Sequence, residues 1–343
     1  MRVDGRGRLP PPELDVPMQI QTYEPYRSSL LTRDELLGLY ALRATRIVAD
    51  TLCTWFWILL AWVGVAFYPY WWSAVVAILV IGTRFYALLI IAHDGLHRRL
   101  FKTVKSNDLW NDLLILGSIG AITRLNRINH MKHHRELALR TDPDRFKYTR
   151  SGRETPMKFL LSLTCVPLLV KAIRNVLVPG PAMRMGSEER AVGSTRVSGS
   201  SRYHLRDVAI IVIWQVLLIG GLSFSIGWWA YPVLWIVPVT FALCCDILRV
   251  FCEHSQLTDD DDADSSMRLV SYDANLIERV VFAPNNMNHH IAHHLWPAIP
   301  YYNLPKAERM IKPKLERNSQ LVWRSSYFWH ITNYWRWLSR EKV

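Results

Sequence analysis

The sequence predicts an all-α integral membrane protein of about four transmembrane helices, with interfacial helices and a cytosolic cap bearing histidine boxes. Three observations lead there. Four runs of roughly twenty apolar residues can each cross a hydrocarbon core about 30 Å thick at 1.5 Å per residue. Half of the 343 residues are hydrophobic, and many of the fifteen tryptophans stand beside the apolar runs. The basic residues flank those runs on one side, while the turns around Pro69 and Gly227 carry no Lys or Arg.

Taken in order, residues 1–33 combine Arg2, Arg6 and Arg8 with Pro10, Pro11 and Pro12. Such a stretch has little apolar surface to offset ordering entropy, so a flexible arm is expected. It has no apolar h-region, so no cleavable signal peptide is expected and the N-terminus stays cytosolic. The membrane body then covers 34–305, with spans expected at about 47–68, 71–91, 208–228 and 231–250. Arg84 lies inside the second; an arginine there is expected to pair inside the bundle, the sharper alternative being contact with a polar group of the substrate. Leu109–Thr123 is short, and Phe159–Val178 is broken by Pro167, Lys171 and Arg174, so both are expected as interfacial or re-entrant pieces. Residues 180–201, rich in Gly, Ser and Arg, read as a loop, and Asp259–Asp264 as a solvated acidic run. The positive-inside rule then places both termini in the cytosol. The tail, 306–343, mixes Lys and Arg with Trp323, Tyr327, Phe328, Trp329, Trp335 and Trp337 and suits the headgroup region.

Against this frame the histidines are unevenly spread. Of twelve in the chain, eight fall in three short windows: His93 and His97; His130, His133 and His134; His290, His293 and His294. Spacings of i, i+3 and i+4 put the rings of a box on one helical face, whereas His289 points about 100° away from His290. A structural zinc site takes about four ligands and usually includes thiolates, so eight imidazoles suffice for two metals. Imidazole suits iron, zinc, copper and nickel, so the ligand type does not name the metal. Asp94, Asp142, Asp144 and Glu253 are placed to receive the second ring nitrogen of ligand histidines, which would fix their orientation. Histidines on opposite sides of a bilayer cannot share a metal, which is why the two short apolar pieces are not read as spans.

The series HxxxH, HxxHH and HxxHH, with apolar segments between, resembles the membrane fatty acid desaturase and hydroxylase superfamily from about Ala92 to Pro305. NHHIAHHLWPAIPYYNLP looks most like its acyl-lipid desaturase branch. The resemblance implies two irons held by the box histidines, dioxygen as co-substrate, and an acyl chain drawn from the bilayer. The product would be a double bond, or in relatives a hydroxyl or a ketone. His254 matches a histidine that often supplies one more ligand, Asn288 the asparagine of NxHxxHH, and Asp142-Pro143-Asp144 a recurring family pattern. Electrons would come from a separate donor, ferredoxin or cytochrome b5, because the chain shows no flavin, Rossmann or haem motif. The basic cytosolic face would steer such acidic proteins.

Rival classes fit less well. A hydroxylase or ketolase of carotenoid-like lipids shares the box spacing and is the nearest alternative. A metal transporter needs ionisable ligands near the bilayer midplane, and these boxes lie at span ends. The formal charge of +12 comes without a nucleic-acid motif. Five cysteines without a CxxC pair indicate reduced thiols rather than a disulfide framework or zinc ribbon.

Overall fold

The computed structural model describes residues 26–137, 141–148, 154–164, 203–254, 269–315 and 321–340. Four of its helices are long and apolar enough to cross a membrane: α2 (Ala44–Phe67), α3 (Trp71–Leu96), α7 (Leu205–Ser225) and α8 (Pro232–His254). Shorter helices include α1 (Arg33–Leu39), α4 (Val104–Leu114), α5 (Thr123–Glu136), α6 (Pro156–Leu163), α9 (Leu276–Val281), α10 (His290–Leu295), α11 (Leu304–Ile311) and α12 (Tyr327–Arg340). Two four-residue strands, β1 (Leu269–Tyr272) and β2 (Leu321–Arg324), pair in parallel and depart from the expected all-helical content. The chain is an all-α integral membrane protein with this one small exception.

Burial separates the spans into two classes. Within their apolar stretches 50% of α3 and 44% of α8 is inside the protein, against 22% of α2 and 17% of α7. The inner pair therefore carries the core, and the outer pair turns most side chains, such as Phe56, Leu60, Val212 and Val216, outward. α3 and α8 approach closely at Gly82, where a Cβ would stand 2.6 Å from Phe241 Cδ1 and 3.2 Å from the Pro238 carbonyl. At the end away from the histidines, Phe67, Tyr68, Tyr70, Trp71, Trp72, Phe224 and Trp228 are exposed, the pattern of an interfacial aromatic belt.

α3 and α8 outlast the apolar runs. The second span was expected to end at Ile91 and the fourth at Val250, but the helices continue to Leu96 and His254. Hydropathy drops there because His, Asp and Glu enter. Partners in the fold receive those groups, the Tyr301 amide on Asp94, Arg249 on Glu253 and His290 beside His254, so the backbone has no reason to stop.

The short apolar piece around Leu109–Thr123 turns back instead of crossing. α4 leads to a 3-10 turn at Leu116–Ile119, Gly120 adopts φ 73°, and α5 returns. Backbone carbonyls at such a tip have no water to bond in hydrocarbon. Side chains of three spans donate to them: Trp214 Nε1 to Leu113 O and Trp55 Nε1 to Leu114 O at 2.7 Å, Gln215 Nε2 to Ser118 O at 3.1 Å and Trp235 Nε1 to Ser118 O at 3.3 Å. The indoles also stack, Trp55 on Trp214 at 5.4 Å. Of Phe159–Val178 only the start is described, as the end of α6; residues 180–201 and Asp259–Asp264 lie outside the described residues.

Of residues 1–33, expected as a flexible arm, 1–25 lie outside the described residues and the rest is packed. Leu30 and Leu31 are buried, and Thr32 starts α1 with a reciprocal capping box to Glu35. Arg84 forms no hydrogen bond or ion pair among the described residues, so the expected internal partner is not found. It stands nine residues, or two and a half turns, before His93 and so faces away from it.

Candidate metal centre

Four elements deliver the histidines. His93 lies in the last turns of α3, and His97 caps it. α5 brings His130, His133 and His134, α8 ends on His254, and α10 carries His290, His293 and His294.

All nine rings meet. The ligand atoms of His93, His97, His130, His134 and His293 lie within 4.8 Å of one another, and so do those of His133, His254 and His294. His290 joins the second group, its Nε2 standing 3.0 Å from His254 Nε2. Boxes two and three are each divided between the groups, which their identical spacing does not show. His289, one residue outside the pattern, belongs to neither and has Nδ1 3.8 Å from Glu308 Oε1.

Ring nitrogens converge too closely to be a hydrogen-bond network alone. Nε2 of His130 stands 2.8 Å from that of His97 and 3.1 Å from that of His134, which is itself 3.1 Å from that of His293. Each neutral ring has one N–H and one lone pair. A run of four facing nitrogens cannot pair them all, and the Nδ1 atoms of His93, His134 and His293 are buried without a hydrogen-bond partner. Burial first, and neighbouring positive groups second, hold His97 down to about 3 and His130, His134, His290, His293 and His294 well below the ordinary histidine value. These six rings are thus held neutral, ring nitrogens of both groups converge on common points, and the donor set fits two transition-metal ions.

The four carboxylates expected around the rings divide evenly. Asp142 has both oxygens 3.0 Å from His133 Nδ1 and also accepts from Tyr148 Oη and the Asp144 amide. Burial raises its pKa, but these donors leave it net below the ordinary carboxylate range. Glu253 places Oε2 3.2 Å from His290 Nδ1, outside hydrogen-bond geometry. Asp94 instead accepts the Tyr301 amide at 2.7 Å, and Asp144 pairs with Lys147 at 3.4 Å. Asn288 donates from Nδ2 to Tyr272 O at 2.9 Å and leaves a buried, unpartnered Oδ1.

Several residues that hold the centre carry no motif. At the end of α3, Asn107 and Arg127 donate to Gly95 O, Asn111 to Ala92 O and Arg127 to Leu96 O. Gly95 is required for this approach, since a Cβ would fall 2.4 Å from Asn111 Nδ2. β1 supports the third box, with Ser271 Oγ accepting the Ile291 amide at 3.0 Å and the Tyr272 amide donating to Asn288 O at 2.9 Å. Arg27 donates to the carbonyls of Leu295 and His294 at the C-terminus of α10, where a cation is favoured. The one signal available beforehand was the i, i+4 spacing of Arg249 and Glu253, which form an ion pair at 2.6 Å.

Comparison with known proteins agrees with this geometry. The chain is 27% identical over 257 residues to a dihydrorhizobitoxine desaturase of Bradyrhizobium elkanii, covering 70% of this chain and 68% of the relative. It is 24% identical over 277 residues to an sn-1 acyl-lipid omega-3 desaturase (ferredoxin) of Nostoc sp. (strain 36), covering 76% and 72%. The fatty acid desaturase family model matches residues 69–326 and so takes in all three boxes, His254 and the spans α3, α7 and α8. With that match over most of its length, the chain belongs to the fatty acid desaturase family and is an oxidoreductase of the desaturase type.

Proposed function

We propose that the protein is a diiron oxidase that uses dioxygen and two external electrons to desaturate a fatty acyl chain in the membrane. The observation that carries this is the meeting of nine imidazoles in two adjacent groups at the ends of the inner spans. His93, His97, His130, His134 and His293 would hold one iron, and His133, His254, His290 and His294 the other. When bound, the irons supply the reduction of dioxygen that makes hydrogen removal from an unactivated C–H bond possible. Overall, two hydrogens leave adjacent carbons and dioxygen is reduced to two waters.

The chain's own residues orient and shield. Asp142 fixes the His133 ring, and Asn288, with its free Oδ1, is suited to hold a water or a ring edge beside the third box. Asp94 acts at one remove, tying the Tyr301 segment to α3. Asp144 with Lys147 anchors the loop that presents Asp142. The second group is wholly buried, whereas four of the five histidines of the first are only partly so, which makes the first the side that substrate reaches.

The site and both termini lie on the cytosolic side in this reading, where a separate donor of the ferredoxin or cytochrome b5 type docks on the basic face. The ferredoxin in the name of the Nostoc relative supports the former. The test supplies a deuterated acyl lipid, ferredoxin, its reductase and dioxygen to membranes containing the protein. Loss of two deuterons from adjacent carbons is expected. Gain of an oxygen atom from labelled dioxygen would instead assign a hydroxylase or ketolase.

A further inference from the structure

The family match ends at residue 326, and α12 begins at Tyr327. This helix nevertheless reaches the metal centre. Tyr327 is fully buried, and its phenol donates to Glu253 Oε1 at 2.8 Å. The other carboxylate oxygen, Oε2, receives Arg249 Nη1 at 2.6 Å and faces His290 Nδ1 at 3.2 Å. Arg249 is held in turn by Tyr86 Oη at 2.8 Å and Asp246 at 3.0 Å. Glu253 is fixed from both sides, by α8 itself and by the C-terminal helix.

The two supports differ in kind. Arg249 sits one turn before Glu253 on the same helix and bonds the oxygen that faces His290, so it competes for that oxygen. Tyr327 bonds only the opposite oxygen and sets the rotation of the carboxylate about its own axis. Without that donor, Oε1 is a buried acceptor with nothing to bind, and the carboxylate has reason to turn fully onto Arg249. His290 Nδ1, which has no hydrogen-bond partner and only this carboxylate oxygen facing it at 3.2 Å, then loses the charged group beside which its ring is set. Stacking of Tyr327 on Tyr272, with centroids 3.9 Å apart, fixes the phenol in this pose, and Tyr272 also belongs to the strand that supports the third box.

We propose that Tyr327 is a positioning residue for the second histidine group: through Glu253 it orients His290, so that the C-terminal helix controls occupancy of one metal position and not the other. The proposal rests on the reading of the nine histidines as iron ligands. Tyr327→Phe keeps the ring and its stacking and removes only the donor. Tyr334→Phe, which removes a phenol that donates to Glu154 from the same helix at 2.5 Å, controls for docking of α12.

The experiment reconstitutes full-length wild type, Tyr327→Phe and Tyr334→Phe with iron-57 as the ferrous ion. It reads iron per chain and Mössbauer spectra, with the thermal unfolding midpoint of each protein alongside. Loss of an orienting partner lowers metal affinity by about 10- to 100-fold. Tyr327→Phe is therefore expected to weaken one of the two iron populations by that factor, leaving the other and the Tyr334→Phe spectrum as in wild type. Two unaltered populations in Tyr327→Phe overturn the proposal. Equal loss of both populations, or the same loss in Tyr334→Phe, also overturns it, because either would show general undocking of the helix. Failure of wild type to take up two irons would instead count against the diiron reading, and that arm is read separately.

Discussion

At the scale of single residues, place within or outside the helix decides what a histidine does. His293 lies among five converging rings, while His289, four residues earlier but at the non-helical N-cap of α10, stands 3.8 Å from Glu308 instead. His293→Ala is expected to remove desaturation and lower bound metal, and His289→Ala to leave both near wild type; metal analysis and product assay on the two variants check this. His330 makes a different prediction. Burial, and then the charge of Arg324, hold it down to about 3 against an ordinary 6.5. Its Nδ1 accepts from Arg324 Nη1 at 3.0 Å and meets Tyr272 Oη at 2.5 Å, so the folded form needs it neutral. A folded value below the unfolded one contributes stability that is present above 6.5 and lost as pH falls from there toward 3. Protection factors of the α12 amides, corrected for the intrinsic pH dependence of exchange, should therefore fall on acidification through that window, and His330→Gln should flatten the dependence.

At the scale of elements, the re-entrant pair α4 and α5 depends on borrowed donors. Trp55 Nε1 bonds the Leu114 carbonyl, and a phenyl ring in its place would leave that acceptor unpaired in an apolar setting. Trp55→Phe is expected to cost about 1–3 kcal/mol. A lowered midpoint in detergent unfolding, with the second box displaced and metal uptake reduced, is the measurable outcome. The need for the boxes to share one side of the membrane showed that Leu109–Thr123 does not cross, but not that three indoles and a glutamine from other spans complete its backbone. Nor did the prolines and charges of the first 33 residues reveal that Arg27 closes the third-box helix. Contacts between residues 268 apart leave no local pattern to read.

For the molecule as a whole, the meeting of all nine rings requires α3, α5, α8 and α10 to present their histidines at one end of the bundle, opposite the exposed aromatic belt. Single cysteines at the exposed Ser106 and Ser325 are thus expected to react with an impermeant reagent from one side, and a cysteine at exposed Ser225 from the other. Labelling of Ser106 and Ser325 from opposite sides would be incompatible with the arrangement. The spans and the three boxes were legible because hydropathy and helical period are properties of neighbouring residues, whereas His254 was reached only through the family resemblance. Each apolar run reports its own transfer from water, and each HxxHH its own face. Which rings share a group, why Asp142 and Glu253 face histidines while Asp94 and Asp144 do not, and how Arg27 and Tyr327 come to brace the centre depended on the folded chain. Those pairings join side chains from distant segments, and their geometry is set by the packing of α3 against α8 and by the β1–β2 pair, neither of which has a signature in the order of residues.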